Sequence, residues 1–224
     1  MRLFVSVIAL AVVLGYVFGG RLRRLERLPL RWWGLAIGGL GLQFLPLPEG
    51  GTGTDLLART GVLALSYAFL LAFGIANARL PGMPLIMLGL ACNGLVIVAN
   101  GGMPVSQQAL GDSGQASVIR SLVDEGADKH HLMTDDDVLR FLADVIAVPA
   151  PIHQVMSVGD VFVYVGLIWL TIAAMRARAQ SSSSRWLPFR GKHRRGEATA
   201  AAIVLSLPPP PDPPPGATRW GSEP

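Results

Sequence analysis

The chain has 224 residues, 51% of them apolar and only 15% charged, and its mean hydropathy is positive. That composition excludes an ordinary soluble domain and predicts several membrane spans. The net charge of +4 is not a nucleic-acid signal, because the basic runs flank apolar stretches, where Lys and Arg meet anionic lipid head groups.

Five apolar stretches follow one another at about 3–20, 32–47, 56–76, 84–99 and 158–175. A spanning helix needs roughly 20 predominantly apolar residues. The third and fifth meet that length. The first and fourth are shorter but almost uncharged, and the second is short, Gly-rich and closed by Pro46 and Pro48. Only Arg2 precedes the first stretch, while Arg21, Arg23, Arg24, Arg27 and Arg31 follow it. A cleaved signal peptide has the reverse pattern. The flanks therefore predict an uncleaved anchor with its N-terminus outside.

With five spans, residues 21–31, 77–83 and 176–224 then lie inside. They carry fourteen of the 19 Lys and Arg residues, and the outer side carries eleven of the 15 acids. Lys and Arg near span ends set orientation, and they set it consistently here. The expected location is a bacterial plasma membrane, crossed several times, with a cytoplasmic C-terminus. The partners this implies are the lipid bilayer and, at the basic inner flanks, anionic head groups, with no nucleic acid. The lone Cys92 forms no intrachain disulfide.

Residues 1–178 thus read as an integral membrane domain, all-α, with an outer insertion at 101–157. Within the insertion, Ser117 precedes Val118, Ile119, Leu122 and Val123 at helical spacing. Thr134 and Asp137 resemble a capping box that opens a second helix, with Val138, Leu142 and Val145 on one face and Pro149 and Pro151 beyond it. Two short outer helices are expected, their apolar faces turned to the lipid or the bundle. Residues 179–224 read as a basic, Ser-rich and then Pro-rich cytoplasmic tail without a core, hence disordered.

The polar residues with the least ordinary placement lie at or near the outer rim: Asn100, Gly101, Gly102, Pro104, Lys129, His130, Asp144, His153, Ser157 and Asp160. Several have plain structural uses. Asn100-Gly101-Gly102 suits a left-handed helix cap followed by a turn. Ser157 and Asp160 have the spacing of a capping box. The adjacent His130 and His131 match no zinc signature, so no metal or cofactor is expected. Within the spans, Gln43, Ser66, Asn77 and Asn93 are polar outliers expected to pair across helices, for about 0.6–2 kcal/mol each. Gly34, Gly38, Gly39 and Gly41 suit close helix packing. No span has a carboxylate or Lys near its middle, which argues against a pump or transporter. Nucleophile-elbow, zinc-protease and phosphate-loop motifs are absent.

Asn100-Gly101-Gly102-Met103-Pro104-Val105, Lys129-His130, Phe141-Leu142-Ala143-Asp144-Val145-Ile146 with Pro149, and Ser157-Val158-Gly159-Asp160 recur in an order that resembles a family of small bacterial membrane proteins, domain of unknown function 5317. The resemblance covers roughly residues 1–178 and is most specific over 100–160. Family members usually have Gly where this chain has Ala143, and the Pro-rich tail lies outside the pattern. The resemblance implies topology and no mechanism.

Three roles follow as expectations. The first is a non-enzymatic envelope, assembly or scaffold component acting through its outer insertion. The second is an outer-face enzyme or a ligand- or metal-binding protein using Lys129, His130, Asp144, His153 and Asp160, which requires these groups to converge. The third is a small-molecule transporter, which requires a polar cavity lined by Gln43 and Asn93.

Overall fold

The computed structural model describes residues 2–45, 53–119 and 129–177. The expected tail falls outside these residues. The described chain is mostly helical, with helices α1 (Arg2–Val17), α2 (Trp33–Leu42), α3 (Gly53–Ala76), α4 (Met83–Asn100), α5 (Gln107–Asp112) and α6 (Val158–Arg176). Short 3-10 turns occupy Leu22–Arg27 and Arg140–Leu142.

Three of these helices, α3, α4 and α6, are long and apolar enough to cross a membrane; α1 and α2 are shorter apolar helices. At 1.5 Å per residue the ten residues of α2 reach only about 15 Å. The second apolar stretch therefore forms a half-length helix among the described residues. The helices pack side by side in the order α2–α3–α4–α6–α1. Glycines permit the closest approaches. A Cβ on Gly39 would meet the Ser66 carbonyl of α3 at 2.9 Å, and one on Gly38 would press on Phe69. Gly34 and Gly41 face open space instead.

The polar outliers pair across helices. Gln43 Nε2 donates to Ser66 Oγ (3.0 Å), and Ser66 Oγ donates to the Gly39 carbonyl (2.7 Å), tying α2 to α3. Asn77 accepts from the Arg31 N–H (2.9 Å) and donates to the Arg31 carbonyl (2.8 Å).

The insertion corrects the all-α expectation. It holds a four-stranded mixed sheet, order β2-β1-β3-β4, made of β1 (Met103–Val105), β2 (His130–Leu132), β3 (Asp144–Val148) and β4 (Gln154–Ser157). β1 pairs in parallel with β2 and β3, and β3 pairs antiparallel with β4. Of the first expected outer helix, residues 116–119 are helical, and the rest lies outside the described residues. Val118 and Ile119 pack on Val105 and Leu110 of the insertion's own core, not on lipid.

The second expected helix does not form. The Thr134–Asp137 bonds exist, with the Asp137 carboxylate accepting from Thr134 N (2.7 Å) and Oγ1 (3.1 Å), but they close a turn. The same carboxylate is bonded to His131 Nε2 at 2.8 Å, which ties the turn to β2. Burial works to raise the Asp137 pKa, but the Thr134 and His131 bonds outweigh it and hold the carboxyl below its usual value. Beyond Leu139, Val145, Ile146 and Val148 are β-branched, and sheet pairing claims them.

Candidate functional site

Both ends of the sheet are fixed to the helix bundle. Gly101, in the left-handed region at φ 69°, ends α4 and turns the chain into β1. Asn100 then clamps the insertion: its Oδ1 accepts from Val138 N (2.8 Å) and its Nδ2 donates to the Val138 carbonyl (3.0 Å). Gly102 lies against the Lys129 backbone, and Pro104 is buried in β1. A core of Leu63, Val96, Ile97, Met103 and Ala143 joins helices to sheet. Ala143 is fully enclosed in it.

At the other end β4 runs directly into α6. The capping box forms: Ser157 Oγ accepts from Asp160 N (2.9 Å), and Asp160 Oδ2 accepts from Ser157 N (3.2 Å). Asp160 has a second task. Its Oδ1 accepts from Asn93 Nδ2 at 2.8 Å, while Asn93 Oδ1 accepts from the buried Ser157 hydroxyl at 2.8 Å. Asn93 lies seven residues before the end of α4, so Asp160 sits about 10 Å below that end, level with the middle of the helix. The sequence places Asp160 at the rim, because it opens α6. The structure shows that α6 starts deep, which puts a carboxylate among the helices after all.

These elements enclose a cavity of about 150 Å³, lined among others by Gln43, Tyr67, Asn93, His130, Asp144 and Asp160. Lys129 stands on its wall, and Leu63, Ile97 and Met103 supply the apolar part. Of the residues singled out from sequence, Lys129, His130, Asp144 and Asp160 thus converge, and Ser157 supports them from behind. His153 does not join them; its Nδ1 lies 2.9 Å from the Ser113 carbonyl, beyond α5. Asn100, Gly101, Gly102 and Pro104 shape the approach without lining it.

Asp144 is held from two sides. Its backbone pairs with Val105 of β1 and Ser157 of β4, and a bulge follows it in β3. Bulges re-aim side chains, and this one accompanies a carboxylate turned away from water. The residue is 8% exposed. Burial, then the nearby Asp160 charge, pushes its carboxyl up to about 8, so at neutral pH it is mostly protonated.

His130 Nε2 lies 3.8 Å from Asp144 Oδ2, too far for a hydrogen bond. Partial desolvation, with the Lys129 and His131 charges adding to it, lowers the His130 pKa from its ordinary value against the opposing pull of Asp160. The ring keeps half its surface open, so it forms the cavity's mouth and not its floor. His130 and Asp144 therefore face each other as a neutral pair at neutral pH. Among the described residues no three His, Cys, Asp or Glu side chains converge as a metal-binding group.

Sequence reading flagged Gln43 and Asn93 as misplaced polar groups but did not join them to the rim residues. The available signal was a polar residue facing inward on each of α2 and α4, at a depth where lipid offers no partner.

The model of a family of unknown function (DUF5317) matches residues 27–172. An uncharacterized protein of Thermotoga maritima is 32% identical over 125 residues, covering 54% of this chain and 68% of the relative. No solved structure matches.

Proposed function

The chain belongs to that family of unknown function, and from its cavity we propose that it is a multi-pass membrane protein that binds a small polar solute and exchanges protons with it. The observation that carries this reading is the meeting of Lys129, His130, Asp144 and Asp160 with Gln43 and Asn93 around one cavity. A scaffold acting through the insertion's outer surface has no use for a carboxyl group kept protonated by burial beside a second one. The volume of about 150 Å³ equals the liquid share of roughly five waters. The occupant is accordingly a solute of a few heavy atoms. The lining offers Lys129, two aspartates of which Asp144 is kept protonated by burial, and the amides of Gln43 and Asn93, which suits a small zwitterion better than a simple ion.

The same observation favours passage of that solute over chemistry on it. The cavity sits between helices at mid-depth of α4, where ionisable groups mark solute and proton pathways. A bacterial plasma membrane, with the N-terminus and sheet outside and the C-terminus in the cytoplasm, agrees with the basic flanks at 21–31 and 176–195. The alternating direction of α3, α4 and α6 agrees with repeated crossing.

Thermal unfolding of the purified chain in lipid nanodiscs, with glycine, alanine, methylamine and acetate each at millimolar concentration, tests the proposal. A zwitterion that raises the melting temperature of the wild type and not of Asp160→Asn supports it. Equal melting curves with all four probes would refute it.

A further inference from the structure

The helix bundle has a second, unrelated concavity at the end opposite the sheet, of about 700 Å³, between the segment leading into α2 and the last turns of α3. Its floor is apolar: Ala72, Ile75 and Ala76 of α3, with Trp32 beside them. Arg31 and Arg79, both exposed, also line it. Among the described residues neither is in an ion pair. We propose that this groove binds one anionic phospholipid, its phosphate held by Arg31 and Arg79 and an acyl chain lying along Ala72, Ile75 and Ala76.

Three observations carry the assignment. The groove wall is built, not incidental. Asn77, only 4% exposed, grips the backbone of Arg31 through both its N–H and its carbonyl, and spends its other amide hydrogen on the Phe73 carbonyl (2.8 Å). That clamp fixes Arg31 against the end of α3 and presents Trp32, which sits in the left-handed region at φ 55° with its ring exposed. A bulky residue rarely adopts that conformation unless its surroundings enforce it. Second, the charge is complementary. Each guanidinium recognises phosphate oxygens in a fork geometry that a lysine does not reproduce, and two arginines line this groove. Third, the position fits. α3 is long enough to cross a membrane, so its end reaches head-group level, where Trp is enriched. From there the apolar floor runs down the helix toward the hydrocarbon. Exposed Ile75 is then a lipid contact and not a liability.

The site is independent of the polar cavity and of the function proposed for it. Its test is native mass spectrometry of the full chain from detergent micelles supplied with equimolar dioleoyl phosphatidylglycerol and dioleoyl phosphatidylcholine. The wild type is expected to retain one phosphatidylglycerol in preference to phosphatidylcholine. Arg31→Gln with Arg79→Gln should reduce that preference about thirty-fold, the loss expected for two cationic side chains near an anionic surface. Arg21→Gln with Arg23→Gln, which removes two charges outside the groove, should change it little. Ala72→Phe, which fills the floor and leaves both arginines, should also lower retention. The proposal is overturned if the wild type shows no preference, if the Arg21/Arg23 pair matters as much as the Arg31/Arg79 pair, or if Ala72→Phe retains lipid fully. Displacement of the lipid by an equal concentration of glycerol phosphate would also overturn it, since the groove would then recognise the free phosphate alone.

Discussion

Replacing Asp144 by Asn removes the buried carboxyl's titration and keeps its shape. A carboxyl near 8 in the folded chain, against 3.8 for an unperturbed one, means that the folded state keeps a proton the unfolded state releases. The stabilisation from this group is complete below the unfolded value and is lost as pH rises toward about 8. Between those limits the slope is about 1.4 kcal/mol per pH unit, so raising the pH from 5 to 7 costs the wild type roughly 3 kcal/mol from this residue alone. For a chain of this size that corresponds to a melting temperature lower by on the order of 5–10 °C. Asp144→Asn has no such term, and its amide keeps the size and shape of the carboxyl. The two proteins should melt at similar temperatures at pH 5 and diverge steadily above it, with the variant the more stable at pH 8. Thermal unfolding in nanodiscs across that range is the assay. Parallel pH profiles would refute the reasoning, because Asp144 would then be ionised, or exposed, in the folded chain.

Further outcomes follow from the same geometry. Asp160→Asn removes the charge that helps raise Asp144, so the protonated-carboxyl infrared band of Asp144 should disappear at lower pH than in the wild type; an unmoved band would separate the two groups. Asn93→Ala leaves Ser157 Oγ and Asp160 Oδ1 each short of a partner and should cost about 1–3 kcal/mol by equilibrium unfolding. Gly159→Ala drives a Cβ into Asn93 Oδ1 and, at 2.7 Å, into the Gly89 carbonyl. It should destabilise by about 1–3 kcal/mol, with loss of the Asn93–Asp160 contact; a variant as stable as the wild type would show that α4 and α6 are not in close contact there.

Hydropathy made the apolar helices legible because burial in lipid demands an unbroken run. It could not show that the second run yields only α2, since Pro46 and Pro48 mark a stop without saying how far the helix extends before it. The capping box at Ser157 and the left-handed cap at Gly101 were readable because both are local, set by residues within one turn. The sheet was not. The spacing of Val138, Leu142 and Val145 fits a helix, and what overrules it is distant: β1 pairs with β3, and His131 takes the Asp137 carboxylate. The cavity was half legible. Asp144, Asp160 and His130 stood out by type, and Gln43 and Asn93 by depth. That they share one cavity depends on α6 starting below the end of α4, an offset with no local signature.

That offset also bears on how the protein is made. Gln43, Asn93, Asp144 and Asp160 come from successive parts of the chain, and Asp160 is the last to be synthesised. Until α6 docks along Gly82 and Gly89, Asn93 stands in α4 without its carboxylate partner and the cavity has no closing wall. Contacts so distant in sequence form late, because the chain between them must first be ordered. A solute bound as proposed would thus recognise the finished bundle and none of its precursors, and by mass action would draw the final docking step forward.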